Sequence, residues 1–138
     1  MTQYEGYVFS LSRKIIERAI SRERDVFVKY CRWDIQPERL LYLYDTGKQG
    51  SRQIIAKATI LEVERIPANQ VWDRFGERLI PNKSEYEEYI SDRESREVVA
   101  MELDNLAYLD EPVNPPGNIT MAGLTLDEER HQKIQDQM

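Results

Sequence analysis

A series of basic side chains, Arg13, Arg18, Arg22, Arg24, Lys29 and Arg32, lies in the N-terminal part of the chain. Guanidinium and ammonium groups neutralise phosphate, and aromatic rings give a nucleobase a surface to stack on. Tyr30, Trp33, Tyr42 and Tyr44 sit among or soon after these cations. That combination points to a nucleotide or single-stranded RNA held by its phosphates, with Tyr30 or Trp33 against a base. In the competing reading Arg22 and Arg24 pair with Glu23 and Asp25, the charges form a solvated face, and the rings are core. The candidate binding residues are Arg18, Arg22, Arg24, Lys29, Tyr30, Arg32 and Trp33, joined by Lys48 from a later turn.

Lys29 is also the one candidate for catalysis. It lies between apolar neighbours, where a desolvated amine loses protons more easily and can act as base or nucleophile. No Ser, Thr or carboxylate stands at a suitable offset to assist it, and a snorkelling lysine is the alternative. Glu62 and Glu64 share a strand face and could bind a cation or move protons, but a solvated outer face is the reading preferred for them. Asp45 to Ser51 is a turn cluster with two glycines but lacks the Gly-Lys-Ser/Thr ending of a phosphate loop. Cys31 reads as a small hydrophobe and His131 as solvent-facing. One cysteine and one histidine exclude a structural Cys/His zinc site, so no metal and no cofactor are expected.

The elements that would position these residues follow from periodicity. Gly6 to Leu11 reads as a strand. Ser10 or Ser12 then caps a helix whose inward stripe is Leu11, Ile15 and Ala19, widened by Ile16 and Ile20. Asp25 to Trp33 reads as a strand, and Leu40 to Tyr44 pairs with Gln53 to Ile66 as a hairpin. On that last strand Ile55, Thr59, Leu61 and Val63 occupy alternating positions. A strand so long should bend or bulge as a sheet curls.

A helical insert spans 68–93, with Gly76 as its weak point, Pro81 as a stop and a Ser84/Glu87 capping box. Glu97 to Leu109 is a further strand. Pro112 to Asn118 reads as irregular, and Ile119 to Met121 as a short last strand. A Thr125/Glu128 box opens a C-terminal helix over 125–138, with Leu126 and Ile134 as its apolar positions.

A length of 138 residues suits one domain with its own core, so the whole of 1–138 is expected to be a single unit. No apolar run is long enough to span a membrane, and no secretory signal opens the chain. With one cysteine, the expected location is the cytoplasm. The formal charge is −6, yet Met1 to Trp33 carry +3 and the remainder −9, so any phosphate binding must be local.

Three stretches resemble the PUA-like superfamily, which includes ASCH and EVE domains. Val26-Phe27-Val28-Lys29 is similar to the strand that ends near the ligand cleft. Pro37 to Tyr44 is similar to the segment that sets up the hairpin. Ile54 to Ile60 matches a strand usually written iiGeatI, with Ala56 at the glycine. As a whole the chain resembles an uncharacterised archaeal family placed near ASCH domains. The resemblance implies an α+β fold, a half-open mixed β-barrel with flanking helices.

The resemblance also implies a non-catalytic module for RNA or a nucleotide. Some ASCH proteins resemble amidohydrolases of acylated nucleosides and carry Gly-x-Lys-x-x-Glu-x-Arg. Here Arg22 to Lys29 occupies that stretch, and Phe27 stands at the glutamate position. A modified-nucleoside hydrolase using Lys29 is the second reading. A protein-interaction module using the prolyl loop and acidic C-terminal part is the third. The oligomeric state stays open, with a homodimer among the options.

Overall fold

The computed structural model describes residues 4–46, 51–120 and 122–138. The first strand, β1 (Gly6–Leu11), opens at a position where no side chain fits. A Cβ on Gly6 would meet the Leu40 carbonyl oxygen of the neighbouring strand at 2.7 Å. Helix α1 (Arg13–Ser21) follows, with Ser12 as its cap accepting the Ile15 N–H. Ile16 and Ala19 are fully buried, and Ile15 and Ile20 pack beside them, as the four-residue spacing requires.

Strand β2 (Val26–Lys29) is shorter than the periodicity predicts. At Tyr30 the backbone N–H turns to the Tyr89 hydroxyl, 3.0 Å away, and the chain leaves the sheet. Strands β3 (Leu40–Asp45) and β4 (Ile54–Pro67) pair antiparallel as expected. Glycine 47 to glycine 50, including Lys48, lie outside the described residues. Buried Asp45 closes the end of β3. Its Oδ2 accepts from Arg13 Nε at 2.9 Å and from the Ser51 N–H at 3.0 Å.

Strand β4 slips register against its neighbour at Ile54/Ala56, Lys57/Thr59 and Ile60/Glu62. Each slip changes which residues face inward. Ala56, Ala58 and Ile60 are core, and after the last slip Val63 packs against them partly buried, while Leu61 is turned out and half exposed. Simple alternation had placed Thr59 and Leu61 on the same side as Val63.

The insert breaks sooner than the sequence suggests. Helix α2 (Val71–Phe75) ends where Gly76 adopts φ 57°, a left-handed value that glycine adopts without a Cβ penalty. Helix α3 (Lys83–Ile90) is capped two residues earlier than predicted. Asn82 accepts from the Glu85 N–H, and Glu85 accepts from the Asn82 N–H, a reciprocal capping box.

Strand β5 (Glu97–Val113) runs past its expected end and through Pro112, where the ladder with β4 is already irregular. The last strand, β6, is Leu124–Leu126 rather than the Ile119 region. Helix α4 (Glu128–Gln135) is capped by Asp127, not Thr125. Among the described residues no helix is long and apolar enough to cross a membrane.

The strand order is β2-β5-β4-β3-β1-β6, mixed, with β1 parallel to β3 and the remaining pairs antiparallel. The sheet is open but strongly curled. Tyr7, Phe9, Phe27, Val99 and Met101 meet inside the curl with α1 against them. Val26 and Val28 face the other way and pack under α2 and α3. A third cluster joins Val8 and Tyr42 to Leu126 and Ile134, seating α4.

His131, expected to face solvent, is buried in that seat at 6% exposure. Its Nδ1 lies 2.7 Å from a Glu5 carboxylate oxygen and its Nε2 lies 2.9 Å from the Tyr42 hydroxyl. A weakly apolar helix conceals a buried position of this kind, because the polar ring is satisfied at both nitrogens.

Candidate functional site at the end of strand β2

Because successive strand residues point to opposite faces, β2 delivers Phe27 and Lys29 inward and Val26 and Val28 outward. The Lys29 ammonium lies over the Phe9 ring, 6.0 Å from its centroid. Burial lowers the Lys29 pKa, and the nearby Arg93 guanidinium lowers it further, while Cys31 acts in the opposite sense. The thiol of Cys31 is itself pushed up by burial, partly countered by the Trp33 N–H that it accepts, and by Arg65 and Lys29. A thiol held protonated is a poor nucleophile.

Trp33 closes this end of the curl. Its ring stacks on Tyr7 at 6.3 Å and on Phe9 at 5.8 Å, yet it is only partly buried. The loop that carries it is tied down from several sides. The Tyr7 hydroxyl accepts the Gln36 N–H at 3.2 Å. Arg65 on β4 donates to the Cys31 carbonyl at 3.0 Å and to the Trp33 carbonyl at 2.5 Å. Beside the loop, Tyr30 donates to the Arg93 carbonyl at 2.7 Å, and the Arg93 guanidinium lies 4.1 Å from the Tyr30 ring and 5.1 Å from the Tyr89 ring.

Lys29 and Arg65 therefore lie beside Trp33 at one end of the curled sheet, with Arg32 next to it in the chain. Arg93 stacks on Tyr30 and Tyr89 on the neighbouring cluster, near enough to act on Lys29. Arg32 is exposed, and neither it nor Arg65 forms an ion pair with a described residue. Arg96 lies near enough to act on the Tyr30 hydroxyl, although Glu94 opposes it. The rim thus carries two exposed guanidiniums, Arg32 and Arg65, that pair with no described carboxylate, in a chain of net charge −6.

The other predicted cations are placed elsewhere. Arg18 forms an ion pair with Glu85, which also completes the capping box of α3, and so joins α1 to α3. Arg24 donates to the Leu79 and Pro81 carbonyls at 3.1 and 3.5 Å. Arg22 is exposed at the C-terminal end of α1. The hollow between that helix end and β5 is lined by Glu23, Asp25 and Asp104 as well as Arg24, so it is acidic rather than basic. Of the candidates, Lys29, Tyr30, Arg32 and Trp33 are brought together.

Arg65 and Arg93 are the members that sequence reasoning missed. Arg65 follows Val63 by two positions, so strand alternation places both on the same face. Arg93 had no such signal, since it lies beyond the end of α3 in an irregular turn.

A family described as a domain of unknown function, DUF365, matches residues 4–128. The chain belongs to the DUF365 family. No curated protein matches the sequence. Among solved structures, the ASCH protein of Zymomonas mobilis is similar with a TM-score of 0.80 and 17% identity, over 96% of this chain and 94% of that one. A serine-to-alanine variant of that protein gives a TM-score of 0.80 and 17% identity over 99% of both chains. The N-terminal domain of McrB from Staphylothermus marinus is similar with a TM-score of 0.62 and 9% identity, over 99% of this chain and 96% of that one. At such identities the likeness is one of fold. This DUF365 chain has the ASCH- and PUA-like architecture, an open mixed sheet with flanking helices, as the sequence resemblance implies.

Proposed function

We propose that this DUF365 chain acts as one non-catalytic domain that binds single-stranded RNA or a nucleotide at the Trp33 rim. The observation that supports this most is the grouping of Lys29, Arg32 and Arg65 around a partly exposed indole. Cations of this kind hold phosphate, and an indole or phenol ring at the same mouth gives a base a stacking surface. An overall acidic protein has little non-specific attraction for nucleic acid, so the local rim must supply the affinity.

The non-catalytic reading is supported by Phe27. It stands where the resembling amidohydrolases carry a glutamate, and it is buried against Phe9 with ring centroids 5.4 Å apart. No carboxylate can act from that position.

Titration of a fluorescent single-stranded RNA at low and at moderate salt tests the proposal. Binding at low salt that weakens steeply as salt rises is expected, because each phosphate contact releases counterions. Absence of binding at low salt defeats it.

A further inference from the structure

We propose that Arg65 is the positioning residue of the rim: it fixes Trp33 and also holds the phosphate nearest to it. This inference rests on the RNA- or nucleotide-binding reading above. In the sheet Lys29 pairs with Val99, and Val99 pairs with Arg65. Directly opposed strand residues project to the same face, so the three side chains form one row across β2, β5 and β4. Two strand spacings separate the cations, roughly 10 Å between their Cα atoms. The loop bearing Trp33 passes over this row.

Arg65 makes two bonds to that loop, to the carbonyls of Cys31 and Trp33. The Trp33 carbonyl also accepts the Ile35 N–H at 3.0 Å. Arg65 thereby joins the backbone around the indole to β4, while the ring itself rests on Tyr7 and Phe9. A guanidinium offers five N–H donors in a rigid fork. Carbonyl acceptors are neutral, so the positive charge of Arg65 is undiminished by them. Its side chain is exposed, and no described carboxylate pairs with it. Both terminal nitrogens of the fork donate to the loop, and the charge and the N–H groups they leave free serve a phosphate beside Trp33.

The test uses a Trp72→Phe background, so that Trp33 is the sole indole, with a uridine homo-oligonucleotide as the probe. Arg65→Gln is expected to shift the Trp33 emission of the free protein to longer wavelength. It is also expected to weaken binding about ten-fold and to reduce the salt slope by about 1. Arg65→Lys restores charge without the fork, so it should recover the salt slope but not the emission. Unchanged emission in Arg65→Gln, or binding and slope equal to the parent, overturns the assignment. No binding by the parent itself instead overturns the RNA reading on which the assignment rests. If the parent binds and Arg65→Lys recovers both properties together, the fork is not required and the positioning role is rejected.

Discussion

Phe9 on β1 and Phe27 on β2 stack with ring centroids 5.4 Å apart, although their strands are separated by β5, β4 and β3 in the sheet. That contact can exist only if the sheet curls until its distant strands face each other. Aromatic pairs of this kind contribute about 0.5–1.5 kcal/mol beyond the area they bury. Phe27→Ala should therefore destabilise the fold by about 3–5 kcal/mol. Equilibrium denaturation measures the loss, and a change below about 1 kcal/mol would mean that the curl does not depend on this stack.

The C-terminal helix is held by a polar contact as well as by Leu126 and Ile134. Tyr42→Phe removes the hydroxyl facing His131 and should cost about 1–3 kcal/mol, the penalty for a buried polar group that loses its partner. Burial, reinforced by the Glu5 carboxylate, pushes the Tyr42 pKa from 10.0 up to about 12. A raised pKa means that the folded state holds the proton more tightly than the unfolded chain. This share of stability is complete below pH 10.0 and is lost as pH rises toward about 12. Comparing alkaline denaturation of the parent and Tyr42→Phe should show a shallower decline for the variant.

On the outer sheet face Glu62 and Glu102 are directly paired. Protonated Glu62 donates a hydrogen bond to the Glu102 carboxylate, and this bond and the Glu102 charge raise the Glu62 pKa, whereas Arg78 lowers that of Glu102. The raised group favours the fold at low pH and loses that contribution as pH rises through its folded pKa. The lowered group behaves in the reverse sense. Glu62→Gln mimics the protonated carboxyl, so the variant should be more stable than the parent at neutral pH. Its advantage should shrink on acidification. Thermal unfolding across pH gives the comparison, and an advantage that grows toward acid contradicts this account.

Lys29 offers a chemical probe of the rim. Its lowered pKa leaves more free amine at mildly alkaline pH than an ordinary lysine has. Under limiting amine-selective reagent near pH 8, mass mapping should find Lys29 labelled ahead of exposed Lys83 and Lys133. Equal or slower labelling would show that desolvation does not govern this amine.

Much of the fold was legible because it depends on local periodicity and caps. The stripe of Ile16 and Ala19, the β3–β4 hairpin and the Phe27/Lys29 alternation all appear where residue spacing places them. The misplacements have specific causes. Asn82 and Asp127 displaced the expected caps because several residues in each stretch can accept a helix N–H, and only backbone geometry selects among them. The bulges of β4 reversed the facing of Leu61, which no alternation rule foresees. Part of the site was similarly hidden. Arg18 and Arg24 resembled ligand cations in one dimension, but Glu85 and the Leu79 carbonyl meet them in three. Arg65 and Arg93 reach the rim only through long-range folding, thirty-two residues from Trp33 in one case.

The most direct test of the Trp33 rim as a phosphate-binding surface is to map amide and indole nitrogen–proton shifts while single-stranded RNA is added to the whole protein. The account predicts that perturbations concentrate on Lys29 to Trp33, the Trp33 indole, and the neighbourhoods of Arg65 and Arg93. Perturbations centred on Arg18, Arg22 and the hollow beside Asp104, with the Trp33 indole unmoved, would contradict it.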